Sequence, residues 1–188
     1  METELIQAKN KIHPHKFTLW VAIGSIVMMF AGLTSAYIVK RNQANWQTFE
    51  IPVLFWYSTV VILLSSFTMH FSLKYFKERY MEKYRKGMFV TALLGVLFIM
   101  MQYLGFREFW NAGMTLQAGV SFSFLYVIVG LHAVHVFGGV VALIVMVLNA
   151  FRTARKNYSV VPVELASTYW HFVDVLWIYL LIFLVMIK

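Results

Sequence analysis

Hydrophobic residues along the chain fall into five long runs that are separated by short polar segments. Each run matches the roughly 20 apolar residues that an α-helix needs to cross a bilayer. Membrane-spanning strands would be only about ten residues long and would alternate in polarity, and this pattern is absent from the runs. The sequence therefore predicts an all-α, polytopic membrane bundle that forms one domain over 1–188, with transmembrane helices at about 17–39, 51–73, 88–106, 121–150 and 165–187.

The composition agrees with a membrane protein, since 61% of the residues are hydrophobic and only 13% are charged. Soluble domains contain roughly 25% charged residues. The first sixteen residues are polar and contain no apolar core of a cleavable signal peptide, so we expect the first span to direct its own insertion. The chain has no cysteine, which excludes thiolate metal sites, iron–sulfur clusters and disulfides.

The charged residues predict the orientation of the bundle. Most of the 16 lysines and arginines lie in the N-terminal tail and in the second and fourth connections. The positive-inside rule therefore predicts a cytoplasmic N-terminus and an external C-terminus. The same rule explains the net charge of +8, so nucleic-acid binding is not predicted.

Polar residues inside the spans are the candidate functional residues. A charge within such a run costs at least about 2.5 kcal/mol in insertion experiments, which makes Asp174 a functional candidate that needs a partner. At a rise of about 1.5 Å per residue, four groups are expected to form one polar layer near the cytoplasmic ends of the helices: His70, Arg152, His171 and Asp174. Three more lie deeper and are expected to make interhelical polar contacts: Gln102, His132 and His135.

Haem ligation is the sharpest chemical alternative, because the chain has six histidines. His132 and His135 lie one turn apart on one helix, roughly 15 Å along the membrane normal from His171, so they cannot share an iron with it. Only His70 and His171 lie at depths that would let two histidines bind one haem iron. A metal site would have His171 and Asp174 as two ligands and lacks a third. The sequence predicts no catalytic residue and no metal or redox site.

Helix packing, lipid binding and ion transport are the remaining interpretations. Asp174 is expected to pair with His171 or His70, and Gln102 with His135, in interhelical bonds of about 0.6 kcal/mol each. Basic pockets between helices bind phospholipid head groups on the cytoplasmic side. A small independent transporter is the alternative from a different class of protein. A single intramembrane carboxylate near one interface is, however, too short a proton relay to cross the bilayer alone.

Two sequence blocks resemble subunit III of the haem–copper oxidases. The first is Gly-Leu-His-Ala-Val-His-Val-Phe-Gly-Gly at 130–139, in the fourth span. The second consists of Glu164 and, five residues later, Tyr-Trp-His-Phe-Val-Asp-Val-Leu-Trp at 169–177. The family motif corresponds to Glu164, Tyr169, Trp170, His171, Phe172, Asp174 and Trp177. The chain is similar to the short, five-helix form of that family.

The resemblance implies an accessory subunit of a cytochrome c oxidase in aerobic respiration, located in a bacterial plasma membrane. Such a subunit packs on subunit I, belongs to a complex with subunit II, and binds structural phospholipids. It supports proton uptake and turnover stability, while haem and copper are held by the partner subunits. The resemblance equally allows subunit III of a quinol oxidase or the protein that accompanies nitric oxide reductase, because the electron donor is bound by other subunits.

The chain departs from the family at three places. Ser25 is followed by Ile26, where many members have a glutamate. Gly105 and Phe106 replace a Glu-Tyr pair in the third span, and the basic residue after the fourth span is displaced to Arg152. No role that depends on the missing carboxylates is therefore implied for this chain.

Overall fold

Five long α-helices make up the computed structural model, which describes residues 14–41, 50–115, 119–151 and 159–187. They are α1 (Pro14–Arg41), α2 (Val53–Lys77), α3 (Met81–Asn111), α4 (Val120–Phe151) and α5 (Val161–Ile187). Each helix is long and apolar enough to cross a membrane, and the described residues contain no strand. The prediction of an all-α bundle with five transmembrane helices is confirmed; the side of the membrane on which each terminus lies stays a prediction.

The connection between α2 and α3 is much shorter than the sequence indicates. The predicted spans leave 74–87 between them, but α2 continues to Lys77 and α3 already begins at Met81. Arg79 adopts a left-handed φ of 65°, and the Tyr80 N–H donates to the Tyr75 carbonyl, which closes the turn. Lysine, arginine and glutamate are good helix formers, so this polar segment continues both helices beyond the apolar runs.

A stripe of serines forms the contact between α2 and α3. Ser58, Ser65 and Ser72 recur every seven residues on α2 and are fully buried. The Ser65 hydroxyl donates to the Thr91 carbonyl over 3.3 Å, and Ser72 faces Gly87. Small side chains let the two backbones approach closely, as is usual for helix pairs in membranes.

Helix α5 is the centre of the bundle, because it packs against α1, α2 and α4. Helix α3 packs against α2 and α4, and α1 packs against α4 and α5. No described Cα atom of α1 lies within 8 Å of one in α2, so a gap separates these two helices over α5. This α1–α2 gap and the contact between α2 and α5 contain most of the polar groups described below.

Candidate functional site

A row of hydrogen-bonding side chains, which we name the polar seam, follows the contact between α2 and α5. The two helices run antiparallel, so partners that advance along α5 move backward along α2. From Glu164 to Trp177 the seam extends for about 20 Å along α5. Its four direct contacts are Lys77 Nζ to Glu164 Oε1 at 2.9 Å, Ser66 Oγ to His171 Nδ1 at 2.6 Å, Trp170 Nε1 to Ser65 Oγ at 3.1 Å and Trp177 Nε1 to Thr59 Oγ1 at 3.0 Å.

An ion cluster closes one end of the seam, which we name the basic end. The Glu164 carboxylate lies 2.7 Å from Lys16 Nζ and 2.9 Å from Lys77 Nζ. It thereby connects α1, α2 and α5 beside a pocket of about 310 Å³. Sequence reasoning named Glu164 only as a motif residue and did not identify its two lysine partners. The cluster has two ammonium groups for one carboxylate, so it retains a net positive charge.

Two imidazoles and a carboxyl come next along the seam. The rings of His70 and His171 have centroids 6.4 Å apart and planes inclined at 51°. Asp174 is only 2% exposed, and neither of its oxygens has a hydrogen-bond partner of ordinary geometry in the described part of the chain.

The predicted polar layer is thus only partly assembled. The structure brings His70 and His171 together, but it pairs His171 with Ser66 rather than with Asp174. Arg152, the fourth predicted member, lies outside the described residues. Ser66 was missed because a serine in an apolar run has no distinctive sequence signal of its own.

The deeper polar residues have other partners than those expected. Gln102 Nε2 donates to Ser58 Oγ over 2.8 Å, which links α3 to α2, instead of pairing with His135. Ser58 donates its own hydrogen to the Phe55 carbonyl, so it can only accept from the glutamine. His135 Nδ1 lies 2.7 Å from the Leu131 carbonyl of its own helix. The seven-residue repeat of buried serines is the signal that could have identified Ser58.

An aromatic cage surrounds His132, which is 1% exposed. Its ring stacks on Trp177 with centroids 5.2 Å apart and planes inclined at 25°. Phe30 and Phe98 present their rings edge-on to it. Neither ring nitrogen has a hydrogen-bond partner among the described residues, so the histidine contributes to packing through its ring.

The hydrogen bonds of the seam join α2 to α5. Over the described ranges, no three histidine, aspartate or glutamate side chains converge on a point where a metal ion could bind. Most hydroxyl and indole groups of the seam bond to one another across helices, and such bonds average about 0.6 kcal/mol in membrane proteins. The absence of a redox centre from the whole chain stays a prediction.

Comparison with known proteins gives matches that extend along nearly the whole chain. The sequence model of the family described as "Cytochrome c oxidase subunit III" matches residues 15–187. A "Cytochrome c oxidase subunit 3" from Bacillus sp. (strain PS3) is 26% identical over 180 residues, which cover 93% of this chain and 84% of the relative.

Two further relatives show how broad the similarity is. A "Probable quinol oxidase subunit 3" from Staphylococcus haemolyticus is 25% identical over 172 residues, covering 88% of this chain and 85% of that protein. A "Probable cytochrome c oxidase subunit 3" from Nocardia farcinica is 28% identical over 189 residues, which cover 90% of this chain and 89% of that protein. The matched length includes the polar seam and all five helices almost completely.

Proposed function

The chain belongs to the cytochrome c oxidase subunit III family, and from that membership we propose that it is a non-catalytic subunit of a proton-pumping terminal oxidase. It is a multi-pass membrane protein of an oxidoreductase complex. In the proposed role it packs on subunit I, in a complex that includes subunit II, within a bacterial plasma membrane. Haem and copper are bound by the partner subunits, and oxygen is reduced there.

The polar seam is the observation that carries this proposal. The polar side chains of α2 and α5 meet each other across helices, as Trp170 with Ser65 and Trp177 with Thr59 do. Side chains used in this way fix the arrangement of the helices. A chain that contributes shape and support to a larger complex fits this pattern better than one that performs chemistry itself.

The quinol oxidase relative supports a second candidate within the same family. Its identity to this chain, 25%, is close to the 26% of the cytochrome c oxidase relative, so the similarity favours neither electron donor. The donor is distinguished by subunit II, where a dicopper centre accompanies cytochrome c oxidation. An independent transporter is the alternative that predicts no oxidase partner.

Purification of the native assembly through a tag on this chain tests the proposal. We expect stoichiometric haem and copper, the other oxidase subunits, and oxygen consumption that is driven by reduced cytochrome c. Consumption driven only by quinol, without a dicopper centre, would move the assignment to the quinol oxidase. A chain that purifies alone, lacks haem and carries ion flux in liposomes would instead be a transporter, and iron or copper retained by the isolated chain would contradict the non-catalytic role.

A supporting role in turnover and lipid binding belongs to the same proposal. Oxidase from which this chain has been removed by detergent should lose activity earlier in its progress curve than the complete complex. Its content of bound phospholipid should fall as well. Equal working lives and equal lipid contents would show that the chain provides neither function.

A further inference from the structure

We draw no further inference here: the strongest candidate, the apolar groove of about 350 Å³ between α3 and α4 that Phe106, Tyr126 and Gly130 line, would be filled equally well by a lipid tail or by a side chain of another subunit, and nothing in the structure shows what covers it.

Discussion

Gly95 of α3 offers the sharpest test of how the bundle is packed, because it faces the ring of Trp170. A methyl group built on Gly95 would lie 2.9 Å from Cη2 of Trp170 and 2.9 Å from a methyl group of Val140. Both distances are well inside carbon–carbon contact, and Trp170 is fully buried. Gly95→Ala therefore forces the indole or the neighbouring helix to move.

The expected loss of stability follows from this overlap. Overpacking of a dense core costs about 1–3 kcal/mol, which corresponds to a factor of about 5 to 150 in the unfolding equilibrium. Gly138→Ala on α4 is the matched control, because a methyl group there would meet nothing within 4 Å. Both substitutions restrict the unfolded chain to a similar extent, so the difference between them isolates the steric effect.

Unfolding of the detergent-solubilised protein by SDS, followed by circular dichroism, measures this difference. Gly95→Ala should unfold at a lower SDS fraction than Gly138→Ala. In a Trp170→Phe background the cost of Gly95→Ala should shrink, because the smaller ring vacates the contact. Equal stability of the two alanine variants, or an unchanged cost beside phenylalanine, would refute the packing described here.

Three further outcomes are expected from the seam. A double-mutant cycle between Ser65→Ala and Trp170→Phe should give a coupling of about 0.6 kcal/mol in SDS unfolding, and additive effects would deny the bond between them. Glu164→Gln should broaden the distribution of distances between spin labels on cysteines introduced into α1 and α2 of this cysteine-free chain, because it removes the carboxylate that pairs with Lys16 of α1 and Lys77 of α2; an unchanged distribution would contradict that. Asp174→Ala should weaken assembly yet leave the haem spectrum of assembled oxidase unchanged, whereas a lost haem band would place this residue near a cofactor.

The number and type of helices could be predicted from the sequence because the membrane imposes a length on every apolar run. The ends of the helices could be predicted less well than their number. The charged segment 74–87 is polar, as a loop would be, but it also consists of good helix formers. The turn depends on Arg79 in a left-handed conformation, and nothing in a run of lysines, glutamates and tyrosines marks that position in advance.

Partners within the candidate site were harder to predict than its members. Histidine, aspartate and glutamine stand out in an apolar span, so His171, Asp174 and Gln102 could be identified as polar groups of the interior. The observed partners of His171 and Gln102 are Ser66 and Ser58, small residues whose importance depends on the register between helices. That register follows from long-range packing and is not contained in the local pattern of either helix.

The contacts of α1 have a consequence for the order of assembly during synthesis. Helix α1 is synthesised before α4 and α5, against which it packs, whereas α2 and α3 can form their hairpin at once through a three-residue turn. Closing such a distant contact is slow relative to a local one. The nascent α1 must therefore wait in the bilayer without its packing partners until α4 and α5 have been inserted.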